Sequence, residues 1–466
     1  EDVTLQTPTT LLNLRTQLGD AADDITTVSG NFSTSAVALL SLGGTVVTTG
    51  GAITISTVTL LAPAVLDTTS GGTSAAISVT RVVGTSSLAL DAGSTGGATI
   101  SIAEMDYLNG GLTVRNAGGI VTLGKLGASG SGPVTITNTQ SGVVFNNDLT
   151  ATTLTVTSTA SGSILFSDDY LVRITTLIAA AAGYNVDIRS SQFVVVNDTN
   201  FLNTAALALG NSATDSLTFA GGLGAVSQSS ITLAGKLLTT NSQIDLANFT
   251  LAASSTIDSG TAATSVINLA AVNMAGFDLI LDSGTHAAAA LTATSFIATG
   301  SAKLSVREAG SLTVSGATNV PAVELLGIAG AASFGGNFFA TTLTTAPAGY
   351  SLAFLGGVTQ VTDAVSLLNS GGVTLGDGGD SVNFNGGLTS TASMTTLSGT
   401  FNTTNDPATF ATLSVAGASS INTGTGNVAA GSVAVAANSL TILTTTGTIS
   451  VTGAITGAGS VTLQNG

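Results

Sequence analysis

A chain of 466 residues with 25 acidic and 9 basic side chains has a net charge of −16 and only 7% charged residues, against about 25% in ordinary soluble domains. This balance excludes nucleic acid as a natural partner, because no basic stripe is present to neutralise phosphates. Cysteine is absent, which excludes disulfides and thiolate metal sites. The longest aliphatic runs, such as Leu177 to Ala182, fall short of the ~18 residues that a membrane helix needs.

Residues 1–35 stand apart from the rest. Leu11, Leu14, Leu18, Ala21 and Ile25 recur at spacings of three and four, the pattern of one helix face. Pro8 with Thr9 or Thr10 supplies a start and Asp23-Asp24 a polar end. The spacing predicts an amphipathic helix, with Gly19 inside it costing about 1 kcal/mol relative to Ala. Such a helix would cap the open edge of the structure that follows and form an assembly segment.

From residue 36 to residue 466 a short phrase recurs: small residue, apolar, Thr or Ser, apolar. Ser216-Leu217-Thr218-Phe219, Ser230-Ile231-Thr232-Leu233, Ser311-Leu312-Thr313-Val314, Gly372-Val373-Thr374-Leu375 and Ser460-Val461-Thr462-Leu463 are examples. Period-2 alternation gives a strand with one apolar face and one hydroxyl face. These phrases arrive every ~9–14 residues between Gly, Asn, Asp and Ser clusters. An antiparallel sandwich would need hairpin turns, yet Asn-Gly pairs are few. A parallel solenoid needs only bends, and its stacked turns bury what one strand cannot. Pro is absent between Pro133 and Pro321, as uninterrupted ladders require.

The fold class that follows is all-β: a right-handed parallel β-helix, or β-solenoid, with a short N-terminal helical cap. Turns of roughly 20–30 residues would give roughly 15–20 of them at ~4.8 Å each. At the C-terminus the clean strand phrases Ile449–Val451 and Val461–Leu463 run to Gly466 without a polar cap. The expectation is an edge met by another subunit or by further chain.

Few constellations invite chemistry. Asp168-Asp169 with Arg173 is the one cluster that resembles a polysaccharide-cleaving site. Adjacent strand residues point to opposite faces, so a solvated turn is the simpler reading. His286 is the sole histidine and cannot build a two-histidine metal site. Gly376-Asp377-Gly378-Gly379-Asp380-Ser381-Val382-Asn383-Phe384 resembles one degenerate copy of a calcium-binding nonapeptide. Asp377 and Asp380 are therefore the candidate calcium ligands, and calcium the only cofactor the sequence suggests. Thr153, Thr155, Thr157 and Thr159 alternate like a flat threonine ladder, but no such row repeats in every turn. Tyr107, Tyr170, Tyr184 and Tyr350 are the aromatic candidates for a glycan-binding patch, if they converge in space.

The run Gly447-Thr448-Ile449-Ser450-Val451-Thr452-Gly453-Ala454-Ile455-Thr456-Gly457 and its continuation to Leu463 resembles the strand-Gly-strand repeats of bacterial surface β-solenoids. These are proteins of the filamentous-haemagglutinin and autotransporter-passenger type. The resemblance covers about residues 40–466 and concerns architecture. It implies a secreted, extracellular or cell-surface, non-enzymatic role, with the signal peptide outside this numbering. The leading expectation is a homopolymer joined head to tail through the N-terminal segment and the exposed C-terminal turn. The alternatives are a monomeric adhesin stalk that binds glycan or another cell, and a surface-layer lattice protein. No membrane insertion is expected.

Overall fold

Alternation decides where each side chain goes. In Ser216–Phe219, Leu217 and Phe219 are fully buried while Ser216 and Thr218 stay half-buried at the surface. The strand lies parallel to Gln192–Val195 with Phe193 opposite Leu217 and Val195 opposite Phe219. Like meets like from turn to turn, so apolar columns fill the interior and polar columns line the outside. The computed structural model describes residues 3–11, 15–34, 39–157, 159 and 162–465, all as strands, bends and turns without a helix. The chain is a parallel β-solenoid of about 22 turns. That exceeds the expected count because turns are short: hydrogen-bonded neighbours on adjacent turns lie 19 residues apart at Asn383 and Asn402 and 25 apart at Asp91 and Asn116.

Among the described residues the N-terminal helical cap is not formed. Val3–Leu5 and Thr9–Leu11 pair in parallel with Ile25–Thr34, and Arg15–Leu18 pairs with the start of Leu39–Ser70. The three-four spacing of the leucines arises because Leu11 and Leu18 end separate strands. Leu14 lies outside the described residues. Ile25, assigned to the buried helix face, is 43% exposed. Two local facts favour the strands. Thr4, Thr9, Thr10 and Thr16 fit a pleated surface better than a helix, and Gly19 adopts φ 68, where its missing Cβ lets the backbone pass close to Gly43 O.

Two compact units, Glu1–Gly235 and Lys236–Gly466, divide the chain. The core of the first contains a run of phenylalanine rings. Phe145 and Phe166 stack at 4.9 Å, and Phe193, Phe219 and Phe201 continue at 5.0–5.9 Å. The core of the second contains another, in which Phe334, Phe338 and Phe354 stand within 5.5 Å of one another. Phe384, Phe401 and Phe410 extend it edge to face. Such pairs contribute about 0.5–1.5 kcal/mol each beyond their burial. In a chain without disulfides they brace the core beyond what burial alone supplies.

Candidate functional site

The Asp377 to Asp380 loop is a corner of the solenoid. Gly376 takes φ 80, Asp377 is exposed, and Asp380 is 9% exposed. Asp380 Oδ2 accepts the N–H groups of Asp377 at 2.7 Å and Gly378 at 3.3 Å. The same corner recurs without the Gly-Asp alternation. Asp215 Oδ2 accepts from Asn211 and Ser212 at 2.9 and 3.0 Å, and Asp24 Oδ2 from Asp20 and Ala21 at 2.9 and 3.2 Å. One turn on, Gly44, Gly235 and Gly399, all at positive φ, lie where a Cβ would strike the carbonyl oxygen of Asp24, Asp215 and Asp380 in turn. The carboxylate thus closes a tight bend against the next turn. Among the described residues no group of three or more His, Asp or Glu side chains stands close enough to hold a metal ion together.

Some charged side chains pair across turns. Glu104 lies level with Arg81 on one side and Lys125 on the other, and the pairing of Leu126 with Leu149 puts Asp148 beside Lys125. The column therefore alternates in sign over four turns. Arg81 also donates to Asp106 Oδ2 at 2.5 Å, a bond that raises the guanidinium pKa further. In the second unit, Lys303 meets Glu324 at 3.2 Å. Asp258, Asp282 and Glu308 align on successive turns. Burial raises the Asp282 pKa, with Asp258 and Glu308 adding to the effect against the N–H of Gly284 and Arg307.

The remaining candidates separate. Asp168 accepts a 2.6 Å bond from Asn211 Nδ2, and Asp169 takes φ 66 in a turn, as expected of a solvated bend. His286 is exposed, its Nδ1 accepting the N–H of Ala288 at 3.1 Å. Thr153 and Thr155 face outward, but Thr155 abuts Ile178 on the next turn and Thr159 is buried, so that ladder stops. The tyrosines do not form a surface patch. Tyr184 and Tyr350 are fully buried, Tyr170 is half-buried, and Tyr107 is exposed. Tyr184 donates its hydroxyl to Ala180 O at 2.9 Å, and burial pushes both buried phenols up to about 12.

Two polar faces escape the period-2 reading. In the first unit Thr10, Ser33, Thr54, Ser78, Ser101 and Thr122 align over six turns into one hydroxyl column. In the second, Ser381, Thr400, Ser420, Thr441 and Thr462 form a column beside Asn383, Asn402 and Asn422. Asn402 donates to Asn383 Oδ1 at 2.9 Å, and Ser420 to Thr400 Oγ1 at 3.2 Å. The face is neutral and regular, with ~4.8 Å between turns. Its sequence signal is the thrice-repeated Ser/Thr-x-Asn of Ser381 to Asn383, Thr400 to Asn402 and Ser420 to Asn422.

Comparison of the chain with family models, curated proteins and solved structures returns no match. The fold defines its class: a parallel β-solenoid.

Proposed function

We propose that the chain is a non-enzymatic structural protein of the bacterial surface, exported and stacking head to tail into a fibre or sheath. The observation that supports this reading most is the uniformity of the joint between turns. Joint after joint repeats a parallel ladder and an apolar column, with neutral hydroxyl or amide contacts at several of them and opposite charges paired at a few. A second copy placed on an outer turn would meet a surface of the same kind, and such a heterologous contact propagates unless rotation closes it. Only 7% of the side chains are charged, so few charges fall at any one joint. Deleting residues 1–35 tests the arrangement. Loss of polymers with the β-sheet signal retained supports it, and unchanged polymers contradict it.

One observation favours a second reading, an adhesin that binds glycan. The Ser381–Asn383, Thr400–Asn402 and Ser420–Asn422 face offers hydroxyl and amide groups at a fixed period, without the charges that would restrict it to ionic partners. Retention of the chain on insoluble polysaccharide, abolished by Asn402→Leu with the fold intact, would support this reading; no retention would count against it.

A further inference from the structure

One corner occurs twice in the chain with a single telling difference. In the first unit the loop Ala180-Ala181-Ala182-Gly183 leads into buried Tyr184. Nineteen residues on, the fully buried Asn203 donates Nδ2 to Tyr184 O at 3.2 Å. In the second unit Ala346-Pro347-Ala348-Gly349 leads into Tyr350, and again nineteen residues on the fully buried Asn369 donates Nδ2 to Tyr350 O at 3.1 Å. Thr204 and Ser370 follow the two asparagines and send their N–H groups to Ala182 O and Ala348 O. Both stretches then run to a Gly at positive φ and an Asp-capped bend, Gly210 with Asp215 and Gly376 with Asp380.

The difference lies one turn further on. Ser229 N donates to Thr204 O at 3.0 Å and Ser393 N to Ser370 O at 3.4 Å, so the residues before them, Gln228 and Ala392, hold equivalent places. Gln228 Nε2 reaches Phe201 O at 2.8 Å, Asn203 O at 2.9 Å and Asn203 Oδ1 at 3.3 Å. It satisfies a buried carboxamide and two carbonyls with one amide. Ala392, fully buried, has no such group. Thr391 Oγ1 takes over one of the three acceptors, donating to Leu367 O at 3.1 Å. Asn369 Oδ1 accepts a bond from none of the described residues.

We infer that the second corner binds a buried water molecule where the first holds the Gln228 carboxamide. That water donates one hydrogen to Asn369 Oδ1 and the other to Asn369 O, the acceptor equivalent to Asn203 O. Two polar partners meet the minimum for an ordered internal water, and a buried amide oxygen without a donor is otherwise a costly state. The truncation from Gln to Ala frees the volume of the group replaced.

A high-resolution crystal structure of the full chain, paired with that of Ala392→Gln, tests the inference. The expected result is a well-ordered solvent peak about 3 Å from Asn369 Oδ1, with the new Nε2 at the same position in the variant. An Asn369 Oδ1 contacted by another side chain, or a corner closed on itself with no solvent peak, would overturn it. Gln228→Ala gives an independent reading in a second site: a new solvent peak beside Asn203 Oδ1 is expected, and collapse of that corner without solvent contradicts the inference.

Discussion

Asp380 Oδ2 accepts the N–H of Asp377 at 2.7 Å, so a carboxylate that the sequence offers as a cation ligand caps the bend. Asp380→Ala strips the acceptor from two N–H groups and should cost roughly 1–2 kcal/mol, whereas Asp380→Asn keeps an oxygen and should lose less. Thermal melts with and without chelator check this. The capped bend predicts the same melting midpoint in both conditions; a calcium ion on Asp377 and Asp380 predicts a drop on adding chelator that Asp380→Ala no longer shows.

Glu104 separates two cations along its column. Glu104→Lys would set Arg81, the new lysine and Lys125 in a row, and like charges directly opposite destabilise a sheet. The melting midpoint should fall, and the deficit should shrink at high ionic strength as screening grows. A midpoint that falls equally in low and high salt would show a packing effect instead.

Tyr184 and Tyr350 give the protein an alkaline limit. Burial pushes both phenols up to about 12, against ~10 in the unfolded chain. Between these values the folded state holds protons that the unfolded state releases, so stability is intact below about pH 10 and falls as pH rises toward 12. Urea midpoints measured across that interval should decline, and Tyr184→Phe should flatten the decline while costing about 1 kcal/mol at neutral pH through the lost bond to Ala180 O. A flat profile in the unaltered protein would contradict the burial of the rings.

Phe354 is at the centre of the ring cluster in the second unit, 5.5 Å from Phe334 and 4.9 Å from Phe338. Phe354→Ala should cost roughly 3–5 kcal/mol, and Phe354→Leu much less, in chemical denaturation. The same truncation at exposed Phe277 should change little.

Strands were legible wherever apolar and hydroxyl residues alternate, as at Ser216–Phe219 and Ser311–Val314, because period 2 has one structural meaning. Leu11 and Leu18 misled, since leucines closing short strands can fall at helical spacing. The charge column of Arg81, Glu104 and Lys125 was hidden because turn length varies, so only the register shows which residues stack. Burial of Tyr184 was equally illegible: its hydroxyl finds a carbonyl in its own loop, which a surface tyrosine would not need. The shared corner at Asp24, Asp215 and Asp380 carries a signal, Leu-Gly then Asp at the bend, with Leu-x-Gly one turn later. Insertions of a residue blur it.

Negative-stain electron microscopy of the purified chain across a range of concentrations tests the structural role most directly. End-to-end stacking predicts fibres or sheaths that lengthen with concentration. Isolated particles of one size at every concentration would contradict it.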